Sequence, residues 1–199
     1  MKKLLILFLI LLLPAGIFLF LKGFGENEFA VKKYYQNSSP QIEGCSKSLE
    51  IPYRVGNTSW LGGFSGTYDF NVIHFATDSG RFPKASVNMA RVYDTFLDKE
   101  RVGLFSVFPS EDSTGQKALI SYLQQSVEWD TSKWYIKSMS RQEIDSIQRC
   151  ILFTGLHEEG RADLVLLDES STIRGYYQSD KVLETDTLIL ELKILLKEE

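Results

Sequence analysis

Residues 77–89 read T-D-S-G-R-F-P-K-A-S-V-N-M, and the fold is decided at this stretch. An apolar strand pattern over 69–76 (D-F-N-V-I-H-F-A) precedes it, and a helical pattern over 87–97 (V-N-M-A-R-V-Y-D-T-F-L) follows it. A strand, a tight polar turn and a helix are therefore expected in succession. Such a junction points backbone N–H groups and the positive end of a helix towards the turn. In redox proteins that turn contains paired cysteines, and this turn has none.

Strand and helix patterns continue on both sides of the junction. Ile51-Pro52-Tyr53-Arg54-Val55 is a plausible edge strand. The later predicted elements are a helix at 85–98, a strand at 101–108, a helix at 116–125, a short strand or extended piece at 134–136, a helix begun by Ser140, a strand pair at 163–168 and 173–177, and a helix at 183–196. The order β–α–β–α–α–β–β–α predicts an α/β fold of thioredoxin-like type, with a central mixed sheet flanked by helices.

Two of these helices show specific signals in the sequence. Met89, Val92, Tyr93 and Phe96 recur at i, i+3, i+4 and i+7, which predicts a stripe that faces the core. The segment S-R-Q-E at 140–143 is typical of a capping box at the start of a helix.

The first 22 residues have the pattern of a membrane anchor. Leu4 to Leu21 contains no charge, and Lys2-Lys3 precedes it, so we expect one uncleaved transmembrane helix with its N-terminus in the cytoplasm. The alternative is a cleaved signal peptide, for which Pro14-Ala15-Gly16 is the only cluster of small residues. Residues 23–44 are predicted to be a linker, and residues 45–199 a single domain on the other side of the membrane.

Three blocks of the sequence resemble the Sco/SenC family, membrane-anchored thioredoxin-fold proteins linked to copper delivery and cytochrome oxidase assembly. The junction is similar to the family pattern F-F-T-x-C-P-x-x-C-P-K-M-T-x-x-M with one residue deleted. The matching positions are Phe75, Thr77, Pro83, Lys84 and Met89. The segments L-V-L-L-D at 164–168 and I-R-G-Y-Y at 173–177 resemble the late hairpin of the family, and F-G-E-N-E-F at 24–29 resembles the segment after the anchor in bacterial members.

This resemblance implies where the family's metal ligands would lie. Ser79 takes the place of the first cysteine, the second falls in the deletion or on Phe82, and the copper-binding histidine corresponds to Gly160. His157 lies in the same loop but too early in the sequence. The resemblance therefore implies a divergent member without the copper and thiol residues, in a bacterial inner (cytoplasmic) membrane with its domain facing the periplasm.

Cys45 and Cys150 are the only two cysteines, and three interpretations of them are open. An even pair in an exported domain is a candidate disulfide, which here would hold the segment after the linker against the helix before the hairpin. They could instead be two separate thiols. They could also be a functional pair, either a redox switch or a soft-metal site that recruits His157.

Three further residues near the junction have simple expected roles. His74 lies in an apolar strand and is expected to be a core histidine that contacts a backbone carbonyl group. Asp78 is expected to cap the turn or the helix, and Arg81 to face solvent.

Two functions are consistent with these patterns. The first is a non-enzymatic interaction or assembly factor without a cofactor, which holds a protein partner in respiratory complex assembly near the membrane. The second is copper binding or thiol redox chemistry in a rearranged site of Cys45, Cys150 and His157. The formal net charge of -4 argues against a nucleic-acid partner, and no triad or phosphate-loop motif is present.

Overall fold

The structure is a computed structural model that describes residues 12–19, 30–45, 50–56, 60–61, 67–111, 113–156 and 162–197. The chain divides into two compact units, Met1–Ala30 and Val31–Glu199. Residues 12–19 are helical, and the remainder of the predicted anchor lies outside the described residues. Within the described ranges, no helix combines the length and apolar character that crossing a membrane requires.

The second unit contains one five-stranded sheet and four α-helices among its described residues. The elements are β1 (Phe70–Phe75), α1 (Phe82–Thr95), β2 (Val102–Pro109), α2 (Ser113–Ser126), β3 (Trp134–Met139), α3 (Arg141–Cys150), a 3₁₀ turn (Thr154–Leu156), β4 (Leu164–Leu167), β5 (Ile173–Tyr177) and α4 (Val182–Leu195). The strand order is β3-β2-β1-β4-β5. The first three strands are parallel, and β4 is antiparallel to both β1 and β5. The mixed α/β, thioredoxin-like fold expected from the sequence is therefore confirmed.

The main difference from the predicted order is β3, a strand of six residues that is longer than the short strand or extended piece expected at 134–136. It pairs with β2 from Trp134 to Met139 at the edge of the sheet. Only the first and last residues of β3 are buried. An edge strand exposed in its middle has a weak apolar pattern, which is why the sequence understates its length.

Helices cover one face of the sheet, and a helix together with earlier chain segments covers the other. The predicted stripe of α1 is confirmed, because Met89, Val92, Tyr93 and Phe96 are at most 1% exposed in the core that α2 and α4 also line. The second core contains side chains of α3 and of the segment around Tyr53. All residues of β1 are buried as a result.

Local signals account for the start of α3 but not for the segment 51–55. The predicted capping box is present: Glu143 N donates to Ser140 Oγ at 3.3 Å, and Ser140 N donates to Glu143 Oε2 at 2.9 Å.

The predicted edge strand is wrong, because 51–55 adopt no strand. Tyr53 N donates to Tyr35 O and Val55 N to Ser171 O, so this backbone bonds to two separate segments instead of one strand.

Arg174 in β5 connects the sheet to the start of the second unit. Its Nη1 forms a buried ion pair with Asp168 Oδ2 at 3.1 Å. Its Nη2 donates to Val31 O at 2.9 Å, and its Nε donates to Lys32 O at 3.1 Å. One guanidinium group therefore fixes both the β4–β5 hairpin and residues 31–32.

We predict that Arg174→Met lowers the free energy of unfolding by about 3–5 kcal/mol, because it leaves the Asp168 carboxylate buried without its cation. The bonds to Val31 and Lys32 are lost as well, so limited proteolysis should cleave before Tyr34 earlier than in the wild type. Lys99→Met is the control, since the Lys99–Asp98 pair is exposed at 50% and 72% and contributes little. Equal behaviour of the two variants in urea unfolding would contradict the role given to Arg174.

Candidate binding site at the β1–α1 turn

The turn after β1 is closed by Asp78. Its Oδ1 accepts a hydrogen bond from Gly80 N at 2.9 Å, and its backbone oxygen accepts one from Arg81 N at 3.2 Å. Asp78 thus caps the turn, whereas the N-cap position of α1 is Arg81, which provides no side-chain cap. Pro83 in the first turn of α1 suits this start, because its ring fixes φ near the helical value.

The positions that correspond to cysteines in the sequence resemblance have other roles in the structure. Ser79 is exposed in the turn. Phe82 is half-buried and packs edge-on against Phe108, with ring centroids 5.7 Å apart. His157 and Gly160 lie outside the described residues.

Arg81 does not face solvent as the sequence predicts. Its Nη2 lies 3.3 Å from Asp163 Oδ2 and also donates a hydrogen bond to Asp180 Oδ1. Asp163 directly precedes β4 and Asp180 shortly precedes α4, so both partners come from elements distant in sequence. No local pattern around Arg81 indicates these pairs, which explains why the sequence analysis missed them.

The two carboxylates around Arg81 have opposite pKa shifts. Burial raises the pKa of Asp163, although its carboxylate accepts hydrogen bonds from Ser179 N at 2.6 Å and Ser179 Oγ at 2.7 Å. The hydrogen bond from Arg81 lowers the pKa of the more exposed Asp180. The hydrogen bonds from Ser179 and the positive charge of Arg81 therefore offset part of the cost of burying the Asp163 carboxylate.

A cavity of about 740 Å³ lies beside the turn. Its described lining residues are Ile42, Thr77, Asp78, Arg81, Asp145, Gln148, Arg149, Thr154, Gly155, Leu156, Ala162 and Asp163. A neighbouring depression of about 400 Å³ shares Asp78 and Arg81 and adds Gln178, Asp180 and Lys181. The lining combines polar and charged groups with the apolar side chains of Ile42, Leu156 and Ala162.

Cys45 and Cys150 form a disulfide bond, with their Cα atoms 5.4 Å apart. Of the three interpretations of the cysteines, the structure therefore has the first, a disulfide. The chain has no further cysteine. Arg149 Nη2 also donates to Glu43 O at 2.7 Å, next to the bond. Since Ile42 and Arg149 both line the cavity, the disulfide fixes one cavity wall.

His74 is a core residue of β1 and has a side-chain partner. Its Nδ1 lies 3.3 Å from Ser106 Oγ, the residue opposite in β2, and Ser106 Oγ accepts from Trp134 Nε1 at 2.9 Å. The expected backbone carbonyl partner is thus replaced by a hydroxyl group. Burial lowers the pKa of His74 to about 3, and the positive charge of Arg81 adds to this shift, so the imidazole is neutral.

The described part of the site does not suit copper. Copper sites in proteins favour thiolate, thioether and imidazole ligands. The turn provides Ser79 and Phe82 at the corresponding positions, and both cysteine sulfur atoms are bonded to each other. In the described ranges, no group of three or more His, Cys, Asp or Glu side chains is arranged to hold a metal ion.

No family model and no curated protein matches this sequence. Solved structures similar to it include a SCO1/SenC family lipoprotein from Bacillus anthracis, with 20% identity, a TM-score of 0.46, and coverage of 66% of this chain and 83% of that one. BsSco, a member of the Sco family of cytochrome c oxidase assembly proteins, has 12% identity, a TM-score of 0.49 and coverage of 67% and 82%. The thioredoxin domain of a thiol-disulfide oxidoreductase from Bacteroides vulgatus has 12% identity, a TM-score of 0.41 and coverage of 62% and 81%. At these identities and scores, no site residue is inferred from any of the three.

We predict that the stability of the wild type falls as the pH falls from 6.5, because the unfolded chain then binds a proton at His74 that the folded chain excludes. The loss contributed by this group is at most about 1.4 kcal/mol per pH unit. His74→Gln removes it, so wild type and variant should differ in the slope of unfolding free energy against pH between 7 and 5. Ser106→Ala, which keeps the imidazole, should retain the slope. Equal slopes for wild type and His74→Gln would contradict a neutral buried His74.

We predict that Arg81→Gln lowers the free energy of unfolding at pH 7 by about 3 kcal/mol, because Asp163 then lacks its cation. The pKa of Asp163 should rise further, and a raised pKa stabilises the protonated folded form at low pH. The variant should therefore regain part of the lost free energy of unfolding as the pH falls towards 5. Arg91→Gln breaks the partly exposed Arg91–Asp186 pair and the 3.5 Å contact with Val182 O, and it should show a small loss without this recovery. The two variants are compared by urea unfolding at pH 7 and pH 5. If Arg81→Gln lowers the free energy of unfolding equally at both pH values, the pairing of Arg81 with Asp163 is contradicted.

Proposed function

We propose that the protein is a membrane-anchored, extracytoplasmic binding factor on a thioredoxin-like fold, without copper or thiol redox chemistry at its β1–α1 turn. The domain would hold a protein partner close to the membrane. The proposal includes the anchor at 1–22 and the periplasmic location expected from the sequence.

One observation carries this proposal: the turn presents an ion-paired arginine where redox proteins have thiols. Thiol chemistry at a helix N-terminus needs a cysteine that can ionise there. Ser79 and Phe82 occupy those positions, and the two cysteines of the chain are bonded to each other. The dominant feature of the turn is instead the pairing of Arg81 with Asp163 and Asp180.

The cavity beside the turn supports binding and indicates the chemistry of the partner. The cavity and the neighbouring depression together contain four carboxylates and three cations, an excess of one acidic group; they are Asp78, Asp145, Asp163, Asp180, Arg81, Arg149 and Lys181. Asp78 and Asp145 are both exposed, whereas the charge of Arg81 is already compensated. A segment with a basic side chain is the partner that fits this field.

The sequence resemblance to Sco/SenC proteins supports an assembly role connected with cytochrome oxidase. It rests on the three blocks at 24–29, 75–89 and 164–177. The partner that it suggests is a subunit or assembly factor of a respiratory complex.

A second candidate function is thiol redox chemistry in the disulfide itself. Cys45 and Cys150 are each half-buried, and Cys150 directly follows Arg149, which lines the cavity. In this case the redox group would be the disulfide itself, with no thiol at the turn. Its reversible reduction would change the wall of the cavity. Copper binding with His157 would require the reduced form, because bonded sulfur atoms are not thiolates.

The first experiment measures disulfide reductase activity and copper binding of the full chain. We expect no activity and no stoichiometric cuprous or cupric ion, with thiols detected only after reduction and denaturation. Ser79→Cys/Phe82→Cys is the positive control, since it creates a C-x-x-C at the turn of the same scaffold. One tight equivalent of copper, lost in His157→Ala or Cys45→Ser, would refute the proposal and favour the rearranged site.

The second experiment tests the partner chemistry with peptides from the extracytoplasmic segments of respiratory-oxidase subunits. Peptides with basic residues should bind, and Asp78→Asn/Asp145→Asn should weaken their binding about fivefold, equivalent to about 1 kcal/mol. Glu169→Gln is the matched control, because Glu169 follows β4 at the opposite end of the sheet and is exposed. Binding that is insensitive to the cavity carboxylates would contradict the proposed site.

A further inference from the structure

The two edges of the sheet differ in how their backbone is covered. At the β5 edge, Tyr34 N donates to Ile173 O at 2.9 Å, and Arg174 holds residues 31–32 beside the strand. At the other edge, β3 pairs with β2 alone. Among the described residues, β3 is therefore the strand with an open side.

Alternate residues of β3 direct their backbone groups away from β2. Leu104 N donates to Lys133 O at 2.8 Å, and Ser110 N donates to Met139 O at 2.7 Å. In the parallel register of the two strands, the odd-numbered residues of β3 therefore bond to β2. The even-numbered residues point their N–H and C=O groups outward.

Two of these outward-facing residues have unpaired backbone groups. Trp134 uses both of its groups, because its N–H donates to Asp130 O at 3.0 Å and its oxygen accepts from Trp129 Nε1 at 3.1 Å. Ile136 and Ser138 have no such partner in the described part of the chain. Two donors and two acceptors thus line the edge, and an extended chain pairs with such a set by adding a strand to the sheet.

A depression of about 350 Å³ adjoins this edge on the face that α3 covers. Its lining includes Lys137 and Met139 of β3 and Glu143, Ser146 and Ile147 of α3. An extended chain directs alternate side chains to opposite faces of a sheet. A strand added to β3 therefore places a side chain at this depression.

Each face of the edge also has one lysine without a carboxylate partner. Lys137 Nζ donates to Trp60 O at 2.9 Å, and the ion pairs among the described residues include neither Lys137 nor Lys117. Lys117 is exposed on the face that α2 covers, next to Gln116, whose Oε1 accepts from Ser138 Oγ at 2.6 Å. Both ammonium groups thus lie near the outward-facing backbone.

The nearby carboxylates reduce this positive charge without cancelling it. Glu143 Oε2 accepts hydrogen bonds from Ser140 N at 2.9 Å and from Ser140 Oγ at 2.6 Å, so this carboxylate caps α3. Glu111 and Arg141 are both exposed beyond the end of the strand and offset each other. One positive charge remains in excess along the edge, and it attracts an acidic partner.

We infer that the open edge of β3 is a docking site for an extended, acidic segment of a partner protein, which adds to the five-stranded sheet as a further strand. The backbone of that segment pairs with Ile136 and Ser138, and its acidic side chains face Lys117 or Lys137. A second copy of this chain fits less well, because antiparallel self-pairing about Lys137 places two lysines directly opposite each other. The inference is independent of the proposed cavity function, since the two sites share no lining residue.

The first test measures the binding of fluorescein-labelled peptides to the full chain in detergent by fluorescence anisotropy. The probe is a peptide that alternates glutamate with threonine, and its control alternates lysine with threonine. We expect only the acidic peptide to bind, and N-methylation of its backbone nitrogens should abolish binding although its charges remain. An acidic peptide that does not bind, or that binds equally well when N-methylated, would overturn the inference.

The second test uses Ser138→Pro, which removes an outward N–H group and leaves the bonds to β2 in place, since proline is tolerated at the edge of a sheet. Binding of the acidic peptide should weaken about fivefold. Ser138→Ala is the matched control, because it loses the bond to Gln116 but keeps the N–H group. Urea unfolding checks that both variants are folded. Equal affinity of the two folded variants for the peptide would overturn strand addition.

The third test examines the charge and the alternative occupant. Lys137→Gln should weaken binding of the acidic peptide about threefold. Lys193→Gln should leave it unchanged, because Lys193 is exposed on α4, which packs on β5 at the other edge of the sheet. Equal effects of these two substitutions would contradict the acidic chemistry. Sedimentation without peptide should give a monomer, and a dimer that Ser138→Pro dissociates would show that a second copy covers the edge and would overturn the inference.

Discussion

Burial of β1 on both faces is the constraint on which the rest of this structure depends. The strand lies at the centre of the sheet, between the parallel β2 and the antiparallel β4. Polar side chains in it therefore depend on partners inside the protein. His74 meets this requirement through Ser106 and Trp134, and it remains neutral because burial disfavours the imidazolium. The end of β1 then determines where the turn, α1 and the cavity can lie.

The start of α1 illustrates how electrostatics replaces a missing chemical group. A guanidinium group at a helix N-terminus is unfavourable beside the positive end of the helix dipole, and the first turn of α1 contains no acidic residue. Asp163 and Asp180 provide the negative charge from other elements. The positive end of the helix dipole would stabilise a thiolate at this site, but it disfavours an arginine. The two nearby carboxylates explain why the arginine is tolerated.

Local features of the structure were predictable from the sequence. The stripe of Met89 to Phe96, the capping box of Ser140 and the β4–β5 hairpin depend on residues close together in the chain, so their patterns are visible in it. The roles of Arg81 and Arg174, the packing of Val31, and the course of residues 51–55 depend on partners far away in sequence. Periodicity contains no information about such partners. The disulfide stands between these two cases. The cysteine count made it a candidate, but only the fold brings the two residues together.

The disulfide also determines how the domain would respond to tension. The bond between Cys45 and Cys150 closes a loop that contains β1, α1, β2, α2, β3 and α3. A force applied between the N-terminal segment and the C-terminus is transmitted through the S–S bond. The closed loop therefore carries none of this force. The force acts instead on the antiparallel pair β4–β5 and on α4. If the chain is tethered at its N-terminus, the half with the parallel strands is mechanically shielded, and extension begins in the hairpin half.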